Sequence, residues 1–236
     1  MSITSLLTSF WHACIGAPHC LLCHDCADVS GLCRACQQDM AALRRTDTDI
    51  CLRCRAGGLT AGVCEQCGQK WPFTTLYASY RYAAPLQQML RAFKHQRQLA
   101  LLDTLAALML AQPPQWLEKV KIDAVLAMPL SRRRLFERGF NQSQLLAAII
   151  ARHYTLPIVT SDWIERCHRP PQSTLKKSAR LHNVRGVFRL NSAVKKRNLL
   201  LIDDVVTTGA TIFELAQTLK KSGVAQVYVW TLAHPE

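Results

Sequence analysis

Residues 198–223 read NLLLIDDVVTTGATIFELAQTLKKSG. From Leu199 to Ile202 every position is apolar, as a strand buried on both faces of a sheet requires. The run ends in two adjacent carboxylates, Asp203 and Asp204, which need hydrogen bonds or a cation unless they face water. TTGAT follows, and then TIFELAQTLKKSG, apolar at helical spacing and stopping at Gly223. Strand, glycine turn and helix make one βα unit of a parallel sheet, and such sheets bind ligands beyond the carboxyl ends of their strands. Gly209 permits a tight backbone, while Thr207, Thr208 and Thr211 set hydroxyls beside unpaired helix N-terminal amides, which makes a phosphate cradle. The carboxylates would repel a phosphate, so they must face another part of the same ligand. Vicinal hydroxyls suit them. A sugar phosphate with adjacent free hydroxyls satisfies both halves.

Outward from this unit, the chain from Trp71 on alternates strand-like and helix-like segments. Residues 74–82 and 122–130 read as strands, 85–96, 99–111 and 141–154 as helices, 161–167 as a short strand and 225–233 as a last strand. Asn141 is placed to cap its helix. Residues 168–183 are polar and loop-like. The pattern predicts an α/β fold, a mostly parallel sheet with helices on both faces.

The chain has 236 residues, enough for one sizeable core and a small satellite. Its 29 Lys and Arg against 16 Asp and Glu give +13, which suits an anionic partner such as nucleic acid or a phosphorylated ligand. The longest apolar run, 99–111, is interrupted by Asp103 and reads as a core helix, so no segment is expected to span a membrane. The opening MSITSLLTSFWHACIGA has no basic n-region and is not read as a secretory signal, so a cytoplasmic chain is expected.

Of eleven cysteines, ten lie between Cys14 and Cys67, and only Cys167 stands beyond. That split divides the chain into a cysteine-rich module, residues 1–70, and an α/β domain, residues 71–236. The spacing is duplicated: Cys20-x2-Cys23 and Cys33-x2-Cys36 with nine residues between, then Cys51-x2-Cys54 and Cys64-x2-Cys67 with nine between. A CxxC turn brings two thiolates to one tetrahedral ion, and a second completes the shell. The intervening loops carry too little apolar content for a core, so metal would supply much of the folding free energy. In a reducing compartment this favours two all-cysteine zinc sites, a double zinc ribbon, over a disulfide framework. Sequential and interleaved grouping of the ligands both fit the spacing. Cys14 and Cys26 are left over, and His12, His19 and His24 are nearby alternatives. With four thiolates no position is open to substrate, so the zincs are expected to be structural. Residues 1–68 hold five Lys/Arg and six Asp/Glu, so the module is not itself a phosphate-binding surface. It is expected to dock a partner or the rest of the chain, and zinc removal to unfold residues 14–68 while sparing the remainder.

The IDDVVTTGAT segment resembles the ribose-phosphate loop of type I phosphoribosyltransferases, which bind 5-phosphoribosyl-1-pyrophosphate (PRPP) with Mg²⁺. The resemblance implies that Asp203 and Asp204 hold the ribose 2′ and 3′ hydroxyls. Val205 and Val206 lead into a 5′-phosphate loop of Thr207, Thr208, Gly209, Ala210 and Thr211. A wider match runs through the double ribbon, MPLSRRRLFERGFNQSQLLA (128–147), STLKKSARLHNVRGVF (173–188) and the PRPP loop. In this it resembles the ComF/GntX family, tied to DNA uptake in competence or to use of DNA as a nutrient. RGFNQ and R..NV.G.F are the family-specific parts. By the same resemblance Pro129, Leu130, Ser131, Arg132, Arg133 and Arg134 form the pyrophosphate loop, where guanidinium forks suit the anion. Arg138 to Asn141 read as structural, fixing the entry to the following helix.

Between Glu165 and Asp203 there is no acidic residue and there are ten Lys/Arg, among them Arg169, Lys176, Lys177, Arg180 and Arg185. This is a candidate surface for single-stranded nucleic acid. It also falls where the mobile hood of phosphoribosyltransferases lies. Purine-salvage members of that fold carry an acid three positions after the acidic pair; here Thr207 stands there, so an oxopurine acceptor is not indicated. No dedicated general base stands out, and Cys167 reads as a small, partly buried thiol. Two functions follow from the resemblance. One is a PRPP-fold protein that handles DNA, with DNA-uptake proteins as partners. The other is an active phosphoribosyltransferase on an unknown nucleophilic acceptor. A PRPP-sensing regulator is a third.

Overall fold

The computed structural model describes residues 19–28, 31–45, 50–54, 58–168, 185–191 and 197–235. In chain order, α1 (Arg34–Ala42) and a two-stranded hairpin, β1 (Leu59–Thr60) with β2 (Val63–Cys64), belong to the cysteine-rich part. Then come β3 (Thr75–Arg81), α2 (Leu86–His95), α3 (Leu101–Ala111), β4 (Ala124–Ala127), α4 (Arg132–Arg138) and α5 (Gln142–His153). The chain finishes with β5 (Ile164–Arg166), β6 (Phe188–Leu190), β7 (Asn198–Val205), α6 (Ala210–Lys221) and β8 (Gln226–His234).

Four strands make one sheet in the order β3-β8-β7-β4, parallel throughout. Its period-two alternation feeds two separate cores. Leu200, Ile202, Tyr228 and Trp230 face one way, against Leu90 and Phe93 of α2, Leu105 of α3, and Leu146 and Ile150 of α5. Leu199, Leu201, Val227 and Val229 face the other, against Ile212, Leu215 and Leu219 of α6. The fold is therefore α/β, with helices on both faces, as the alternation predicts. Ala127 sits beside Ile202 in the register, so the chain leaving β4 runs next to the chain leaving β7. Met128 N donates to Ile202 O at 2.9 Å and fixes that neighbourhood.

The cysteine-rich part straddles the edge of this sheet. Leu43, Arg45 and Ile50 lie along β3: Arg81 N donates to Leu43 O (2.8 Å), Arg45 N to Ser79 O (3.0 Å) and Ile50 N to Leu76 O (2.9 Å). An otherwise open edge is covered. To one side of this seam, Cys20, Leu32, Cys36 and Met40 join the core beneath α2 and α3. To the other, Ile50, Cys51, Leu59 and Cys64 join the core beneath α6. The apolar residues of the ribbon are thus shared with the sheet, where composition had suggested a satellite built on its metals.

Two elements differ from the sequence reading. The chain after Ser131 is a helix, α4, and not an extended loop. β6 pairs with β5 as a small antiparallel ribbon, so the basic segment 169–184 connects two paired strands; it lies outside the described residues. Among the described residues no helix is long and apolar enough to cross a membrane.

Candidate functional site

At the carboxyl end of β7 the strand gives way to a turn at Gly209, whose φ of 70° is the left-handed conformation that glycine adopts without strain. Gly209 takes the cap position of α6 and has no side chain to offer it, while Thr208 Oγ1 accepts from Ala210 N at a long 3.5 Å. The N–H groups of this first turn, with the positive end of a 12-residue helix dipole, make a candidate anion site. Phe213 N donating to Gly209 O at 2.8 Å starts the helical ladder.

The two carboxylates diverge in environment. Asp204 is 2% exposed. Its Oδ2 lies 2.6 Å from Lys94 Nζ, supplied by the last turn of α2, and its Oδ1 accepts from Val205 N at 2.7 Å. Asp203 keeps part of its surface in the crevice, and its Oδ1 accepts from Ser143 Oγ (2.8 Å) and from Asp204 N (3.0 Å). Burial, then the Asp204 carboxylate, push Asp203 up to about 7, with Lys94 and Ser143 pulling the other way.

The RGFNQ segment holds this arrangement in place. Gly139, at φ 82°, ends α4. Phe140 packs on Phe93, with ring centroids 5.3 Å apart. Asn141 caps α5 through Ser143 N and also donates to Met128 O at 3.1 Å, tying the β4 loop to the helix. Arg138 donates to Gln142 Oε1 at 3.1 Å and lines the crevice as well, so it is more than the structural residue expected.

A cavity of about 180 Å³ opens between the β4 and β7 loops. Asp203, Asp204 and every residue from Val205 to Thr211 line it, with Pro129, Leu130 and Arg134 opposite. Ser131 is buried and stands at the N-cap position of α4, its hydroxyl beside His168 Nδ1 at 3.4 Å and not bonded to the helix. Arg132 and Arg133 do not line the cavity. They start α4 on its outer side, where they meet Glu165 and Glu137. Three cations not expected at the site complete the walls: Lys94, Arg138 and Arg166. Arg166 donates to Pro129 O at 3.1 Å and sits over the Phe188 ring. Burial and then Arg134 pull both Arg166 and Arg138 below the usual guanidinium range, the mark of crowded cations that an anion would relieve. Nothing local in the sequence singles out Lys94 or Ser143; only the packing of α2 and α5 brings them to Asp203 and Asp204. Arg185 is exposed in the turn before β6, whose Gly186 N donates to Glu214 of α6 at 2.6 Å. Arg169, Lys176, Lys177 and Arg180 lie outside the described residues.

The cysteines gather sequentially: Cys20, Cys23, Cys33 and Cys36 in one group, Cys51, Cys54, Cys64 and Cys67 in the other, with all sulfurs in each within 4.8 Å of one another. Cys23 and Cys33 stand 3.5 Å apart, Cys54 and Cys64 3.5 Å, Cys51 and Cys67 3.7 Å. Four thiolates about 2.3 Å from a tetrahedral ion would stand about 3.8 Å apart, so both groups fit zinc. Burial pushes Cys20 up, but the amides of Cys23, Cys33 and Leu22 outweigh it and bring the thiol to about 6. Cys51 is drawn to about 6 in the same way by the amides of Cys54 and Arg53. Burial and neighbouring thiols push Cys36 up, a crowding that a divalent cation relieves. Cys26 and His24 stand outside both groups, and His19 bonds to His24 O at 3.1 Å.

One contact joins the two kinds of site. A Cβ on Gly209 would meet Leu52 Cδ1 at 1.9 Å. The Cys51-Leu52-Arg53-Cys54 knuckle thus rests on the Gly209 turn, the candidate phosphate loop, and Trp71 meets Phe213 edge-on at 6.1 Å.

No protein-family model matches the chain. DNA utilization protein YhgH of Escherichia coli is 31% identical over 207 residues, 86% of this chain and 89% of that protein. Competence protein F of Haemophilus influenzae is 29% identical over 216 residues, 86% and 90% of the two chains. Among solved structures, adenine phosphoribosyltransferase from Saccharomyces cerevisiae matches with a TM-score of 0.36 and 14% identity, covering 59% of this chain and 71% of that one. With 31% identity spanning 89% of a DNA utilization protein, the chain belongs to the ComF family.

Proposed function

We propose that this protein serves DNA utilisation or uptake, binding a ribose phosphate, PRPP with Mg²⁺, in the crevice and single-stranded nucleic acid on the basic surface beside it. The observation that carries the reading is the pairing of chemistries in one cavity. A carboxylate pair and the N-terminal turn of α6 line the same cavity, with Lys94, Arg134, Arg138 and Arg166 around them. Asp203 and Asp204 would take the ribose hydroxyls, Thr207 to Thr211 the 5′-phosphate, and the arginines the pyrophosphate with its Mg²⁺. The two Cys₄ groups would hold structural zinc, and residues 1–70 and 71–236 form the ribbon and the ligand domain.

Calorimetric titration of the zinc-loaded protein with PRPP and Mg²⁺, with and without single-stranded DNA, tests this reading. Binding that responds to DNA is the expected result; no PRPP binding in either state would sink it. Replacing Lys176, Lys177 and Arg180 by Ala should flatten the salt dependence of DNA binding, and an unchanged slope would remove that segment from the surface. Transfer to a nucleophilic acceptor is the second reading. The cluster of cations facing the phosphate loop favours it, since it suits a departing pyrophosphate. Pyrophosphate release in the presence of DNA-derived acceptors would separate the two.

A further inference from the structure

Helix α4 has no buried residue, so the core does not account for its apolar side chains. Phe136 is 90% exposed and Leu135 43%. Arg134 and Arg138, four positions apart, turn toward the crevice. Arg132 and Arg133 precede Phe136 by four and three positions and share its outer face, with side chains 92% and 65% exposed. Their partners, Glu165 at 3.6 Å and Glu137 at 2.9 Å, are surface pairs that a phosphate can displace. Behind Leu135 a second cavity of about 260 Å³, walled by Leu126, Leu130, Val159 and Ile164, continues the apolar surface.

We propose that Phe136 is a stacking platform for an unpaired nucleobase, with Arg132 and Arg133 taking the flanking phosphates, so that a single strand crosses the outer face of α4 at the rim of the crevice. The inference rests on the nucleic-acid reading above and assigns the residues that carry it. A duplex hides its base faces and would engage the arginines alone. An apolar protein patch would have to strip water from two guanidinium groups to reach the ring. An unpaired strand offers a π-face and phosphates together, and an aromatic ring accepts any base.

Fluorescence anisotropy of the full, zinc-loaded chain tests this with labelled oligo-thymidylate and with an abasic strand of equal length. Phe136→Ala should weaken oligo-thymidylate binding about ten-fold and leave abasic binding and the salt slope unchanged. Phe136→Trp should retain affinity. The ring is exposed, so the fold is not at stake. Equal affinity of Phe136→Ala and the parent for oligo-thymidylate would overturn the platform and leave this face to a protein partner. Equal loss on both strands would also overturn it, while leaving strand binding itself in place. A parent protein that binds neither strand would remove the nucleic-acid reading and the platform with it.

Discussion

The first Cys₄ lobe sets Leu21, the residue after Cys20, beside Gly31, where an added Cβ would meet Thr104 of α3 at 2.7 Å. The second sets the corresponding Leu52 against Gly209 of the candidate phosphate loop. Both lobes keep the same spacing, and both place a left-handed glycine two residues before their second CxxC, Gly31 at φ 78° and Gly62 at φ 82°. What differs is the face of the sheet each one reaches. One face is closed by α2, α3 and α5, and the first lobe joins the core there without touching the Gly209 turn. The other carries α6, whose first turn is the candidate anion site, and a lobe packed there touches that backbone. Duplication has therefore supplied two equal structural units with unequal leverage on the site.

Zinc removal should produce the largest effect. Structural zinc supplies about 10–16 kcal/mol in small zinc modules, comparable to the whole stability of an ordinary domain. Because Cys36 and Met40, and Ile50 and Cys51, are built into the two cores of the sheet, a chelator should melt the chain in one calorimetric transition at a lower temperature. The sequence pointed instead to unfolding of residues 14–68 alone. Two separated transitions would restore that picture and dissolve the contrast between the lobes.

Next in size is the buried pair at the centre of the crevice. Asp204→Asn leaves the Lys94 ammonium without its partner at 2.6 Å. It should cost about 3 kcal/mol of stability, the low end for breaking a buried pair since Lys94 is not fully enclosed. Binding of PRPP with Mg²⁺ should fall with it. Denaturant unfolding and calorimetry read the two effects, and unchanged ligand affinity would mean that the acidic pair is architectural.

Asp203 makes a smaller and pH-dependent contribution. Its value near 7 lies far above that of an exposed aspartate, so the fold favours the neutral carboxyl. The stability this gives is complete below about pH 4 and is lost as pH rises through 7. Asp203→Asn should therefore melt at a higher temperature than the parent at pH 8. Accepting from ribose hydroxyls needs the ionised form, so PRPP affinity should rise about ten-fold from pH 6 to pH 8, as the charged fraction of a group titrating near 7 does. In Asp203→Asn the affinity profile should be flat. A parent profile that is already flat would detach Asp203 from the ligand.

Much of this was legible beforehand because the signals are local. The apolar run, the acidic pair, Gly209 and the Asn141 cap are each decided by neighbours within one βα unit, and the CxxC spacing by the reach of a thiolate. Sulfur grouping was not, because both arrangements satisfy the spacing and only the pairing of Leu43, Arg45 and Ile50 with β3 sets the lobes apart. Lys94 and Ser143 stand 110 and 60 positions before Asp204 and Asp203 respectively, so only the sheet order brings them in. Helix α4 was read as loop because no buried face gives it a period; Ser131 at its N-cap position and the Gly139 stop were the available signs.

The finest test sets the two knuckle leucines against each other. Leu21 and Leu52 are each partly buried, so truncation to Ala should cost about 1–2 kcal/mol in both variants, less than for a fully buried leucine. Stability alone should not tell them apart. The ligand should. Leu21→Ala removes packing beside Gly31 and against the core of the other face, and should leave the crevice as it was. Leu52→Ala removes the side chain that backs Gly209, so the phosphate loop gains conformational freedom that binding must then restrict. PRPP affinity should drop several-fold in Leu52→Ala and stay constant in Leu21→Ala, read by calorimetry well below either melting temperature. Leu52→Met, which refills the volume, should recover most of the loss. Parallel losses in both variants would mean that affinity follows global stability and that the second lobe has no special hold on the loop. Constant affinity in both would leave Leu52 as packing and nothing more.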